Sequence, residues 1–456
     1  PLTLPEAHWL AVGERVGDGA VLYRDLIDNT GPGAAAVWGA LHALFGKSPV
    51  AHQWLALLLA ALQAVGFGFM MVRNAVLPER TFLPALFFVL FGHVFFGQLL
   101  LSPAFLGTGL LLPVLHLLLV QLRSGVRDEP LFFAGVLLGA AALFWAPLLV
   151  FVLLPVAALL LFSAATFRQY LLLLVGVAMP VGLAFVYYYW HNAGWFFYEY
   201  YWASLWTLPS RELIDWNLLA VAWLVPGLVC AVGLLRLSGQ VLSNYQSICR
   251  RVMLLWAVPA AAACFLAWER TPALAWAFLV PASFLAAYAF QPSRVRWRVE
   301  VAFILVFAMA IFSLYGLQLF VPTRTLWQQQ ALLAPPADPP VRGKRVLILG
   351  RASALYRHNT AATPYLNWDL AAPSLGNLDT YGDLVSIYRR FTLDPPEVLV
   401  DRRQAAPRLF ARLPALGERY RSGRRHGVYY LWTEGDAPAA PPAPASPPAD
   451  SLTAGR

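Results

Sequence analysis

"SPAFLGTGLLLPVLHLLLVQLRSGVR" runs from Ser102 to Arg127. It opens on a Ser-Pro turn. Residues 104–122 then carry no Asp, Glu, Lys or Arg, and Arg123 and Arg127 follow at once. A helix that crosses a bilayer needs about 20 mostly apolar residues. The stretch therefore reads as an outer turn, one span and a basic inner loop.

The same unit recurs outward in both directions. Candidate spans lie at 50–72, 81–101, 104–122, 131–146, 147–165, 170–189, 217–235, 251–268, 272–290 and 299–321. Residues 131–165 also read as one long helix kinked at Pro147. Two spans fit the charges better, because merging them moves Arg168 to the wrong side. The chain is 59% hydrophobic and 12% charged, whereas a soluble domain carries roughly 25% charged residues. Too little polar surface remains to cover a water-soluble globule. The expected fold is an all-α polytopic membrane bundle of about ten helices, or eleven if one preceded Pro1, with a small α/β C-terminal domain.

Lys and Arg favour cytoplasmic loops. Arg73 and Arg80, then Arg123 and Arg127, Arg168, the Arg236–Arg251 group, and Arg294–Arg298 follow every second span. This puts residues 1–49, the aromatic loop 190–216 and everything after about 322 on the extracytoplasmic side. The basic residues, with net charge +9, serve topology, and no nucleic-acid surface is expected. Cys230, Cys249 and Cys264 lack metal-ligand spacing and read as small core residues. The chain begins at Pro1, and residues 1–33 carry no long apolar signal-peptide region. If a span preceded Pro1, the original N-terminus is expected to be cytoplasmic.

Four regions are expected. Residues 1–49 form a first outer loop with an interfacial helix, and 50–321 the bundle. Residues 322–433 hold a linker and a small α/β domain, with strands at "KRVLILG" (344–350), "PEVLVD" (396–401) and "GVYYLW" (427–432), and helices near 379–391 and 405–420. Residues 434–456 are Pro/Ala-rich and expected to be disordered. Among ionisable groups inside the apolar blocks, His93 and His116 stand out. Each reads either as a neutral His bonded to a neighbouring helix or as a functional group. The shortage of intramembrane charge weakens pump, channel and carrier readings, and the polar chemistry concentrates on the outer side.

There, "GERVGDGAVLYRDLIDNTGPGAAAVWGALHALFGKS" (13–48) couples acids, Tyr23 and Arg24 to a Gly-Pro turn and an apolar helix. Upstream lie Glu6, His8 and Trp9. The segment resembles the first outer loop of GT-C membrane glycosyltransferases, closest to bacterial protein-mannosyltransferase and lipid A aminoarabinose-transferase types. Gly19, Tyr23, Arg24, Asp25, Asp28, Pro32, Phe45 and Gly46 match. The resemblance implies sugar transfer from a polyprenyl-phosphate donor at the outer leaflet of a bacterial inner membrane, normally with inversion. It implies a carboxylate as general base on an acceptor hydroxyl or amine. The candidates are Glu6, Asp18, Asp25 and Asp28, with His8, Trp9, Tyr23 and Arg24 as substrate-binding groups. No cofactor is implied beyond the lipid-linked sugar, and the expected partner is membrane lipid. The match departs at Pro5, where the family carries Asp, and at Ser102-Pro103, where many members carry a second acid. Either another first-loop carboxylate has taken the base role, or the chain is a non-catalytic scaffold or lipid-binding relative.

For the lipid phosphate, Arg24, Arg211, Arg270 and Arg324 are candidates beside ordinary anchoring roles. Trp195 and Tyr198 lead an aromatic loop that reads equally as a prenyl or sugar surface and as an interfacial belt. In the tail, "ATPYLNWDL" (362–370) offers Tyr365, Asn367, Trp368 and Asp369, a set shared by sugar-binding surfaces and ordinary packing turns.

Overall fold

The computed structural model describes residues 2–94, 98–207, 211–212, 216–290, 296–311, 341–351, 353–362, 364–376, 378–423, 425 and 427–432. Arg324, the rest of residues 312–340 and the tail from 433 lie outside the described residues.

The N-terminal half is a helical array. α1 (Leu4–Gly17) and α2 (Pro32–Phe45) precede α3 (Pro49–Arg73), α4 (Leu83–Gly92), α5 (Pro103–Ser124) and α6 (Asp128–Phe144). α7 (Leu153–Phe162) continues a 3₁₀ turn that starts at Ala146, and α8 (Phe167–Trp190) follows. Helices Trp216–Ser238, Asn244–Leu255, Ala257–Leu266, Leu279–Ala289 and Arg296–Ile311 complete the array. Among the described residues, five helices are long and apolar enough to cross a membrane: Pro49–Arg73, Pro103–Ser124, Phe167–Trp190, Asn244–Leu266 and Pro272–Ala289. Shorter apolar helices surround them, and the chain is a multi-pass membrane protein. The 81–101 block departs most from expectation. Its helix lasts ten residues, stops at Gly92 and is capped at His93. The 131–165 region is broken at Trp145, whose extended backbone separates α6 from the turn at Ala146-Pro147.

Close backbone approach organises the array. Gly135 and Gly139 of α6 form a Gly-x-x-x-Gly pair against α8. A Cβ at either position would lie 2.2 Å from the carbonyl oxygen of Leu173 or Val177. Small residues at this spacing let two apolar helices gain packing contacts that lipid does not supply. The helix in Pro272–Ala289 is the most enclosed, with 83% of its apolar window buried, while Phe167–Trp190 has 17% and faces outward.

The C-terminal domain carries a five-stranded sheet. Its order is Thr360–Ala361, Arg345–Leu349, Val398–Asp401, Val428–Leu431, Tyr420–Ser422. The first three strands are parallel, and Val428–Leu431 runs antiparallel to both of its neighbours. Helices Trp368–Gly376, Tyr381–Leu393 and Ala406–Arg412 flank it. Central strands Arg345–Leu349 and Val398–Asp401 are almost wholly buried, as their unbroken apolar runs require. The three expected strands form. The two short strands at 360–361 and 420–422 lack an apolar run of their own and depend on pairing.

This domain docks directly on the first loop. Arg15 pairs with Asp394 at 2.7 Å. Lys47 pairs with Glu14 at 2.5 Å and donates to the Asn359 carbonyl, while Thr360 donates to Glu14. Ile27 exchanges backbone hydrogen bonds with Pro364 and Asn367. The first loop and the C-terminal domain therefore lie on one side of the bundle.

Candidate active site

α1 begins with a reciprocal cap. Thr3 Oγ1 accepts from the Glu6 backbone, while Glu6 accepts from the Thr3 backbone and hydroxyl. Glu6 is buried, and burial raises its pKa against the opposing bonds from Thr3 and Gln53. Pro5 occupies the first helical turn, where its missing N–H costs nothing. One turn later Trp9 stacks on Trp38 of α2 at 5.4 Å, and Trp38 donates to the Leu101 carbonyl. This fixes α1, and with it His8, against α2.

The loop between these helices is held from beneath. Gly31 caps α2 with its Cα so near Phe144 that a Cβ would lie 2.2 Å from that residue's carbonyl oxygen. Tyr23 adopts a positive φ of 72° and is 1% exposed. Its hydroxyl donates to the Thr30 carbonyl at 2.7 Å, and its ring packs edge-on against Tyr188 and beside Phe197 and Tyr201.

The loop delivers Asp28 to a fully buried position. Asp28 accepts from His8 Nε2 at 3.0 Å, the Thr30 N–H at 3.2 Å, the Thr30 hydroxyl, and Asn367 Nδ2 at 3.2 Å. Burial works to raise its pKa. The facing His8 charge and the bonds from His8, Thr30 and Asn367 outweigh that and hold it below the ordinary value. A buried carboxylate so held fixes the tautomer and orientation of its histidine.

The other sequence candidates are placed differently. Asp25 pairs with Arg24 at 2.8 Å and accepts from the Val21 N–H, and Arg24 also donates to the His191 carbonyl. Burial notwithstanding, these bonds lower the Asp25 pKa. Asp18 caps the C-terminal end of α1 and faces His42 at 3.5 Å. Trp195 and Tyr198 are exposed and pack on each other. The Arg211 backbone pairs in parallel with Glu269, and Glu212 pairs with Arg270. Of the first-loop groups, the structure brings His8 and Asp28 together and leaves Asp18 and Asp25 in pairs of their own.

His8 stands where two cavities of mixed polar and apolar lining meet. One lies under the C-terminal domain and is lined by Pro5, His8, Trp268, Glu269, Arg351, Asn367 and Asp369. The other is lined by His8, Asn29, Thr30, Ser102, Trp145, Trp268, Glu269 and Thr271. A third chamber, of about 460 Å³, adjoins the second through Thr271 and Leu274. Its wall is apolar, including Trp223, Phe265 and Phe278, with Arg270 also lining it. Trp268 closes the expected span 251–268 and Glu269 follows it directly, and no local motif marks either residue for a site. Among the described residues, no group of three or more His, Cys, Asp or Glu side chains is arranged to hold a metal ion.

No family model matches the chain, and no curated protein matches it. Two solved structures are similar to it in overall chain path. One is the archaeal oligosaccharyltransferase AglB from Archaeoglobus fulgidus in complex with an inhibitory peptide and a dolichol-phosphate. It is 12% identical, covers 96% of this chain and 71% of its own, and has a TM-score of 0.47. The other is the Archaeoglobus fulgidus oligosaccharyltransferase complex with Zn and sulfate, at 12% identity, 91% and 67% coverage and a TM-score of 0.46.

Proposed function

We propose that the chain is a membrane glycosyltransferase of the GT-C type, which moves a sugar from a polyprenyl-phosphate donor to an acceptor at the extracytoplasmic face. The observation that carries this reading is the place of the His8–Asp28 pair. It sits where a cavity of mixed lining that adjoins an apolar chamber meets a second mixed cavity under the C-terminal domain. An amphiphilic donor needs such a combination, with an apolar wall for the chain and polar groups for the sugar.

In this reading the polyprenyl chain lies in the apolar chamber, and Arg270 faces its phosphate. The acceptor enters beneath the C-terminal domain. Its hydroxyl or amine attacks the anomeric carbon, His8 takes the proton, and the carbon–oxygen bond to phosphate breaks with its electron pair on the departing polyprenyl phosphate. Asp28 orients His8 and stabilises the imidazolium that forms. Asp28 thus acts through His8, and it is the first-loop acid best placed to replace the family's aspartate at position 5. Glu6 holds the helix that carries His8, and Tyr23 and Arg24 hold the loop that carries Asp28.

The test is transfer from radiolabelled polyprenyl-phosphate hexoses and pentoses in proteoliposomes. Wild-type protein should turn over, and His8→Gln should lose roughly 10²–10⁴-fold in rate. Full activity in His8→Gln would remove His8 from the chemistry. No turnover by wild type, together with stable co-purifying subunits, would favour the scaffold reading.

A further inference from the structure

We propose that Asn367, carried by the C-terminal domain, is a positioning residue of the His8–Asp28 pair and holds the Asp28 carboxylate in the orientation that meets His8. This rests on the glycosyltransferase reading for its purpose, but its geometry stands by itself.

Asn367 is 5% exposed, and its whole amide is committed. Nδ2 donates to Asp28 Oδ1 at 3.2 Å and to Asn29 Oδ1 at 3.1 Å, while Oδ1 accepts from the Asp369 N–H at 3.1 Å. The orientation follows from the partners. Asp28 as a carboxylate can only accept, and a backbone N–H can only donate, so a flipped amide would lose both bonds. The Asn367 N–H donates to the Ile27 carbonyl at 3.2 Å, and Ile27 donates to Pro364 at 2.6 Å. The register between the two segments is thereby fixed one residue from Asp28. The carbonyl of Asn367 also accepts from Ala371, in the first turn of helix Trp368–Gly376.

The consequence is electrostatic. Asp28 Oδ1 is shared between His8 and Asn367. A neutral donor there satisfies part of the carboxylate without adding charge, and so limits how strongly Asp28 draws a proton onto His8. Glu269 and the Arg351–Asp369 pair, at 2.6 Å, line the same cavity as His8. Asn367→Asp keeps the shape but sets a second carboxyl group against buried Asp28. Two carboxyl groups this close resist ionising together, so the variant adds at most one negative charge, and any it adds favours protonated His8. Asn367→Ala removes the competing donor and shifts His8 the same way by less.

The experiment follows the His8 ring by NMR in full-length protein labelled at histidine, with the signal assigned by its loss in His8→Gln. The His8 titration midpoint should rise by a few tenths of a pH unit in Asn367→Ala, and by more in Asn367→Asp to the extent that its added carboxyl ionises. The acid limb of the transfer rate should rise with it, because protonated His8 cannot accept a proton. If neither variant moves the midpoint while both still fold, Asn367 is a packing residue and the proposal fails. If Asn367→Asp does not fold, Asn367→Ala decides alone. If the midpoint moves but wild type transfers no sugar, the positioning role stands and the glycosyltransferase reading falls.

Discussion

His8 Nε2 lies 3.0 Å from the Oδ1 of Asp28, a carboxylate with no solvent exposure. The histidine comes from the first helix and the aspartate from the loop twenty residues on. Asn367, on the C-terminal domain, closes the third side. The pair is thus assembled from both parts of the molecule that lie on this side of the bundle.

Asp28 makes the fold acid-sensitive. Its folded-state pKa lies below the ordinary value, so the unfolded chain binds the proton more readily. The stabilisation is fully present above about pH 4 and is lost as pH falls through the folded pKa. Wild-type protein in detergent should lose thermal stability on acidification below about pH 4, and Asp28→Asn should show a flatter acid limb. Parallel acid limbs for the two proteins would mean that Asp28 contributes no linkage.

Docking of the C-terminal domain should depend on Arg15. The Arg15–Asp394 pair is largely shielded, with side chains 18% and 16% exposed, and Arg345 also pairs with Asp394. Removing one charged partner from such a bond costs about 1.5–3 kcal/mol. Arg15→Ala should raise hydrogen exchange in strand Arg345–Leu349 and at Ile27, and should leave α5 and α6 unchanged. Unchanged exchange at both places would show that the ion pair does not hold the domain.

These contacts also explain what could be read without coordinates. The apolar blocks behind α3, α5 and α8 have the length and continuity of spans, and each becomes one helix. Block 81–101 has the same composition, but its helix stops at Gly92, which periodicity does not signal. The first loop stood out because its acids are close in sequence, yet closeness in sequence gave no order among them. Asp28 became distinct through His8, Thr30 and Asn367, and the last lies 339 positions away. Trp268 and Glu269 carry no local pattern and join the site through packing alone.

The α6–α8 contact should tolerate no side chain at its glycines. A Cβ at Gly139 would meet the Val177 carbonyl oxygen at 2.2 Å and the Pro180 ring at 2.9 Å. The helices must separate to admit one. Overpacking of this kind costs about 1–3 kcal/mol. Gly139→Leu should lower the thermal midpoint in detergent, whereas Gly182→Leu on α8, with open space around it, should not. Equal midpoints would show that the contact is looser than the backbone approach implies.

The apolar chamber yields the last prediction. Ala261 and Ala275 both line it, and neither takes part in the His8–Asp28 pair. Filling it with Ala275→Trp should exclude a polyprenyl chain while leaving the two cavities at His8 intact. A photoactivatable polyprenyl phosphate should label wild-type protein on peptides that contain Phe265 or Phe278, and labelling should fall at least roughly tenfold in the variant, a loss of about 1.4 kcal/mol. In the transfer assay the variant should raise KM for the lipid donor and leave kcat nearly unchanged, since a group that only holds the chain contributes equally to ground and transition states. Undiminished labelling in Ala275→Trp would place the lipid elsewhere on the bundle, and the chamber would then have no part in donor binding.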